Sequence, residues 1–154
     1  MIIPIPEYLG KPIHISGEDP VEILEWESND YDVLTPAGPI KWDVDANVFE
    51  SEMLVKGKIS AEFSGICCRC GRDMCLNVSD DICEMKKIPE NTNEVDLTSE
   101  LRDAIILALP SHPICNSDCK GLCPKCGKHL TAETCSCVKV KKDDAWNVLD
   151  NLFK

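Results

Sequence analysis

Apolar and polar side chains alternate along two consecutive stretches of this chain. In IKWDVDANVF, Ile40, Trp42, Val44, Ala46 and Val48 take one set of positions, and mostly polar or charged neighbours take the other. In MLVKGKISAEFSGIC, Val55, Gly57, Ile59, Ala61 and Phe63 fall on one side, with Lys56, Lys58, Ser60, Glu62 and Ser64 opposite. A period of two predicts half-buried antiparallel strands, because successive side chains leave an extended backbone on opposite faces. VEILEWE, from Val21, reads as an earlier strand ahead of the turn signal TPAGP, and MCLNVSDDICEMKKIP as a weaker one ending at Pro89. Residues 1–20 carry Pro4, Pro6, Pro12 and Pro20, which interrupt regular pairing. They predict an irregular proline-rich arm or edge segment whose isoleucines, Ile2, Ile3, Ile5, Ile13 and Ile15, still pack on something.

The period changes in DLTSELRDAIILALP, where Leu97, Leu101, Ala104, Ile105 and Ala108 recur at helical spacing. Asp96 is placed to accept hydrogen bonds from the first free amides, and Pro110 with Pro113 stops the helix. DDAWNVLDNLF puts Ala145, Trp146, Leu149, Leu152 and Phe153 on one face behind an acidic start, which predicts a short final helix. The expected fold class is α+β: an antiparallel sheet or partly open barrel, one central amphipathic helix, a C-terminal cysteine module and a last short helix. The expected divisions are an arm over 1–20, a β-rich core over 21–114 with its helix at 96–109, the module over 115–142, and the final helix over 143–154.

A chain of 154 residues is long enough for one ordinary domain, which buries about two thirds of its unfolded surface and needs no staples to fold. No basic flank precedes an apolar N-terminal core, and no apolar run approaches the roughly 20 residues of a membrane span. The expectation is a soluble, cytoplasmic protein with no membrane partner. In a reducing compartment eleven cysteines, an odd number, point to metal-binding thiolates before disulfides.

The formal charge of −11 argues against wide contact with phosphate backbones, but it is unevenly distributed. Residues 1–114 hold 9 basic and 22 acidic side chains, whereas 115–154 hold 7 and 5. The module's Lys120, Lys125, Lys128, Lys139, Lys141 and Lys142 face only Asp118 and Glu133 within 115–142. Those lysines form a candidate surface for RNA or another partner; the plainer reading is that they keep the module soluble and offset thiolate charge.

Thiolates for tetrahedral zinc come as pairs two to four residues apart, because a short turn can aim both sulfurs at one ion. Four such pairs occur: Cys67 with Cys70, Cys115 with Cys119, Cys123 with Cys126, and Cys135 with Cys137. In CRCG and CPKCG a glycine follows the second cysteine, where a residue without Cβ can turn amides towards sulfur, as in a zinc knuckle. Cys123, Cys126, Cys135 and Cys137 make a compact first site, and Cys67, Cys70, Cys115 and Cys119 a second that would tie the module to the sheet. The competing division takes one zinc from the six C-terminal cysteines and leaves Cys67 and Cys70 as neighbours. One or two structural zinc ions are therefore expected. Cys68, Cys75 and Cys83 stand outside ligand spacing and read as small apolar side chains, the last two pointing from a strand. His129 could replace a thiolate but reads as a lone surface histidine, since enough sulfurs are near.

No enzyme chemistry is apparent. A thiol oxidoreductase places its reactive cysteine at a helix N-terminus, whereas CCRCG leads into RDMCLNVSD, another strand pattern. Catalytic zinc keeps an open position, which all-cysteine knuckles do not. Phosphate-binding glycine loops and the G-x-S-x-G elbow are missing. Two non-enzymatic classes remain, an RNA-facing factor and an acidic adaptor that holds a basic protein; a thiol-redox protein using the C-x-x-C pairs ranks third.

CCRCG at 67–71, DLTSELRDAIILALPSHPIC at 96–115, DCKGLCPKCGKHL at 118–130 and the closing CSC before a short helix together resemble the YceD family, the large ribosomal RNA subunit accumulation proteins of bacteria and plastids. Members commonly carry DPR before the last helix where this chain has DDA at 143–145, so no role is carried over for that arginine. The resemblance implies non-enzymatic support of 23S ribosomal RNA accumulation or processing and of large-subunit assembly. The implied partner is ribosomal RNA or a ribosomal protein of the large subunit, with no small-molecule substrate.

Overall fold

The computed structural model describes residues 1–5, 11–26, 33–90 and 92–137. Its strands are β1 (Ile2–Pro4), β2 (Ile13–Asp19), β3 (Leu34–Pro36), β4 (Ile40–Phe49), β5 (Glu52–Ile66), β6 (Asp73–Lys87) and β7 (Glu94–Asp96), followed by helix α1 (Thr98–Ala108). All pairing is antiparallel. β5 is the spine of a five-stranded sheet: β6 pairs along its whole length, from Glu52↔Lys87 to Ile66↔Asp73. Its other edge is shared by β4, itself flanked by β2, and the short β3. β1 and β7 form a separate two-stranded ribbon.

The alternation read in the sequence decides what the sheet buries. Ile40, Val44, Ala46 and Val48 of β4 and Met53, Val55, Ile59, Ala61 and Phe63 of β5 are buried, with Trp42 half-buried against them, and Lys41, Asp43, Asp45, Lys56, Lys58 and Glu62 of the alternate rows are exposed. α1 closes the inner face with Leu97, Leu101 and Ile105, all fully buried, while Ala104 and Ala108 pack at its margin. Asp96 Oδ1 accepts the Thr98 amide (2.9 Å) and hydroxyl (2.6 Å), which satisfies the first free donor of the helix as expected. Polar clamps hold the helix on the sheet: Lys86 Nζ meets Glu100 Oε1 at 2.6 Å, and Arg102 donates to the Leu24 carbonyl at 3.1 Å and pairs with Glu25 at 2.8 Å. An α+β half-barrel with one helix and a C-terminal cysteine cluster is therefore the fold class observed.

One expectation changes, and two are made definite. VEILEWE is not a strand: Val21–Leu24 is a turn of 3-10 helix ended by Glu25 in a left-handed conformation (φ 47°). Its apolar residues at 21, 23, 24 and 26 break the period of two, and Arg102 takes the Leu24 carbonyl that a neighbouring strand would need. The described residues of the N-terminal arm include two edge strands. Pro4 ends β1, and Pro12 and Pro20 bracket β2, so the prolines punctuate edge strands without removing a ladder donor inside them. The weak strand candidate over 74–89 becomes the 15-residue β6. The expected helix over 143–154 lies outside the described residues.

Candidate metal centres

The loop joining β5 to β6 is the first C-x-x-C-G knuckle. Because those two strands pair over 15 residues each, Cys67 and Cys70 stand at the tip of the longest hairpin among the described residues. The Cys67 amide donates to the Arg72 carbonyl (2.9 Å) and the Gly71 amide to the Cys67 carbonyl (2.9 Å). The second knuckle repeats the pattern: the Cys123 amide donates to the Lys128 carbonyl (2.8 Å) and the Gly127 amide to the Cys123 carbonyl (2.9 Å). Gly71 and Gly127 close these turns at φ 68° and 70°, where a Cβ would be strained.

After α1 the chain returns to the first knuckle. The Cys68 amide donates to the Pro113 carbonyl (2.9 Å), the Cys115 amide to Cys67 Sγ (3.3 Å), and Arg69 Nη1 to the Cys119 carbonyl (3.0 Å). Asn116 Oδ1 accepts the Asp118 amide (3.1 Å) and so shapes the turn between Cys115 and Cys119. The sulfurs of Cys67 and Cys119 are 3.9 Å apart and those of Cys70 and Cys115 3.7 Å. This tetrad is enclosed: Cys67 is 1% exposed, Cys119 3% and Cys70 5%, with Met74, Leu76 and Ile114 packed around it.

The second tetrad is local and more open. Cys135 Sγ lies 3.4 Å from Cys123 Sγ and 3.5 Å from Cys126 Sγ, and the Cys137 amide donates to Cys135 Sγ at 3.4 Å. Cys123 is buried, Cys135 and Cys137 are half-buried, and Cys126 is exposed. Within each group of four, all sulfurs lie within 4.8 Å of one another. The eight cysteines thus gather four and four, dividing as the two-site reading expects and not as the six-cysteine alternative.

The sulfurs of each tetrad differ in proton affinity. Backbone amides aimed at the knuckle thiols favour their anions: the Arg72 amide and then the His129 side chain bring Cys70 down to about 5, and the Cys126 and Lys125 amides bring Cys123 to about 6. Burial works to raise Cys67, but the amides of Cys115, Arg69 and Cys70 outweigh it and lower its pKa. Cys115 is pushed up to about 12 by burial and by its neighbouring sulfurs, and Cys137 to about 12 by Cys135 and Cys126. The first tetrad therefore sets Cys67 and Cys70, whose anions are favoured, beside Cys115, which resists ionising, and the second sets Cys123 beside Cys135 and Cys137 in the same way. A cation placed among them removes that conflict.

Lys120, Lys125 and Lys128 are exposed around the second knuckle; Lys139, Lys141 and Lys142 lie outside the described residues. Cys68, Cys75 and Cys83 are exposed and not packed as small apolar residues, although Cys75 and Cys83 do project from a strand as expected. His129 is not a surface histidine: both its ring nitrogens are shut off from solvent. Arg69 and Arg72 were not singled out in the sequence, although two arginines in CCRCGR were visible. Arg69 donates to the Cys119 carbonyl, and the sulfurs of Cys70, Cys115 and Cys119 raise the pKa of Arg72, so positive charge faces the enclosed sulfurs.

Residues 77–153 match the family model described as "Large ribosomal RNA subunit accumulation protein YceD", a span that includes Cys115 to Cys137 but begins after Cys67 and Cys70. A protein of Arabidopsis thaliana named "Large ribosomal RNA subunit accumulation protein YCED homolog 1, chloroplastic" is 38% identical over 64 residues, 42% of this chain and 20% of its own length. An uncharacterized protein of Mycobacterium tuberculosis is 31% identical over 96 residues, 53% of this chain and 46% of its own. One of Mycobacterium leprae is 28% identical over 116 residues, 66% and 54%. The chain thus spans between a fifth and about half the length of these relatives. No solved structure matches it. No helix among the described residues is long and apolar enough to cross a membrane. With the matched region covering half of its residues, the chain belongs to the YceD family.

Proposed function

We propose that both tetrads hold structural zinc and that the module they shape supports accumulation of large-subunit 23S ribosomal RNA, and so large-subunit assembly, by binding without catalysis. The observation that carries this reading is the pair of all-sulfur tetrads beneath an exposed lysine knuckle in a chain of this family. A tetrahedral ion with bonds of about 2.3 Å needs its sulfurs roughly 3.8 Å apart. Two separations in each tetrad run from 3.4 to 3.9 Å, and no pair within a tetrad exceeds 4.8 Å. An iron–sulfur cluster would spread its thiolates over several irons and hold them farther apart. Four thiolates leave no open position for substrate, so the metals act on shape.

The lysines then meet RNA phosphates from a fixed turn. Each phosphate contact adds about 0.7–0.9 to the slope of log affinity against log salt. Changing Lys120, Lys125 and Lys128 together to glutamine is expected to weaken binding of large-subunit RNA fragments and to flatten that slope by roughly 2. Fluorescence anisotropy over a salt series measures both. Unchanged affinity and slope would remove RNA from the proposal and leave a ribosomal protein as the partner.

The adaptor reading receives less support. Cross-strand register sets Lys58 between Asp43 and Asp81, Lys56 beside Asp45, and Lys41 opposite Glu18, so the outer face is a lattice of opposite charges and not an acidic wall. The thiol-redox reading is weakened by position, since Cys67 and Cys70 occupy a hairpin tip, not a helix start.

Proton release provides a further prediction. Metals bind thiolates, and Cys115 and Cys137, both near 12, keep their protons at neutral pH without metal. Zinc loading in weak buffer is therefore expected to release protons, and zinc affinity to fall as pH falls. The metal-free fold has its own dependence: Cys70 and Cys123 lie at about 5 and 6, below the ordinary 9.0. Their depressed values stabilise the fold fully above pH 9, and that contribution declines as pH drops towards 5. Calorimetry in buffers of different ionisation enthalpy counts the protons released; a count of zero would contradict the ligand assignment.

A further inference from the structure

The stretch from Gly121 to Leu130 is a small hairpin, closed by a bridge between Leu122 and His129 and by the Leu130 amide donating to the Gly121 carbonyl at 2.9 Å. It carries Cys123 and Cys126, so its shape depends on the second tetrad. Its other side rests on the first. Gly121 (φ 73°) approaches so closely that a Cβ there would stand 2.9 Å from the Arg69 carbonyl oxygen, inside the first knuckle. Arg69 in turn holds the Cys119 carbonyl at 3.0 Å, just before the hairpin begins. His129, on the returning arm of the hairpin, has both ring nitrogens buried and neither has a hydrogen-bond partner. A donor from this ring would favour the Cys70 thiolate in the first knuckle. A buried donor without an acceptor is costly, and a metal-held thiolate is an acceptor that keeps its negative charge.

We propose that the two metal centres are linked through this hairpin, with His129 as the positioning residue: the ion held by Cys123, Cys126, Cys135 and Cys137 fixes the hairpin so that the His129 ring N–H donates to Cys70 Sγ in the other centre. This rests on the reading that both tetrads bind metal. The two-state element is the hairpin, seated or unseated on the first knuckle, and both ions favour the seated form. Linkage is reciprocal, so filling either centre raises the affinity of the other by the same factor. The enclosed centre, braced by Arg69 and Arg72, holds its ion in either form of the hairpin but more tightly in the seated one.

The test uses the full chain and zinc itself, with affinities taken by competition against a chelator and occupancies by native mass spectrometry. Disabling the second centre with Cys126→Ser and Cys137→Ser is expected to weaken zinc at the first about tenfold, within the usual range of such linkage. In a His129→Ala background the same pair of changes is expected to weaken it less than about twofold. His129→Gln, which keeps a donor of similar reach, is expected to restore most of the effect. Cobalt gives a readout that lost packing alone would not move: with His129→Ala, the thiolate-to-cobalt charge-transfer band of the first centre shifts to lower energy as Cys70 loses its hydrogen bond. Two ions bound with the first centre indifferent to the second would overturn the linkage while leaving the metal reading intact. Linkage that survives in His129→Ala would overturn the role of His129. A wild-type chain that binds no zinc at all would instead defeat the metal reading itself.

Discussion

Replacing Cys67 with serine is expected to cost the protein one of two metal ions and to unfasten the module from the sheet. Cys67 is nearly fully enclosed, accepts the Cys115 amide, and sits opposite Cys119 across the tetrad, so its loss leaves three sulfurs and an unfilled coordination position. Structural zinc in small modules contributes roughly 10 kcal/mol or more, as large as the entire stability of many domains. The local consequence should be a module that opens well before the sheet melts. Hydrogen exchange would show it as lost protection over residues 113–120, together with a one-ion mass. Cys83→Ser is the matching control. That thiol is exposed on the outer face of β6, and its replacement should change stability by no more than about 0.5 kcal/mol.

Phe63→Ala is expected to have the second-largest effect and to act on the sheet instead. Phe63 is fully buried near the knuckle end of β5 and packs its ring against Trp26, with centroids 5.6 Å apart and planes inclined at 55°. Truncation removes the largest side chain of the core and leaves a cavity that neighbouring strands cannot close, a loss of about 3–5 kcal/mol. Denaturant unfolding with a constant m-value would measure it. The zinc content of the folded fraction should stay at two, because the sulfurs are positioned by the knuckle turns and not by this ring. A change of less than 1 kcal/mol would mean that Phe63 is not the keystone its burial indicates.

The sheet was legible where one face is buried and one is wet. β4 and β5 follow from alternation alone because each turns a full apolar row inward. β6 was harder: only Met74, Val78 and Ile82 of its inner row are buried, since it is an edge strand whose Asp80 and Glu84 reach past the helix into water. Val21–Leu24 was misread because its winding depends on Arg102, 78 residues away, taking the Leu24 carbonyl. Local propensity carries no record of such a contact.

The candidate site divides in the same way. The two knuckles are local objects, so their glycines and cysteine spacings could be read directly. The partnership of Cys67 and Cys70 with Cys115 and Cys119 spans the whole β6 strand and α1, and sequence offered it only as one of two divisions. His129 was misjudged for the same reason: nothing near it in sequence announces that its ring nitrogens are enclosed.

Native mass spectrometry of freshly purified chain, before and after exposure to a strong chelator, measures the central claim most directly. Two zinc ions per chain are expected, both removed by chelation, with helix and sheet signals retained and the cysteine module unfolded. A chain that carries no ion, or a single ion shared among the six C-terminal cysteines while Cys67 and Cys70 alkylate freely, would contradict it.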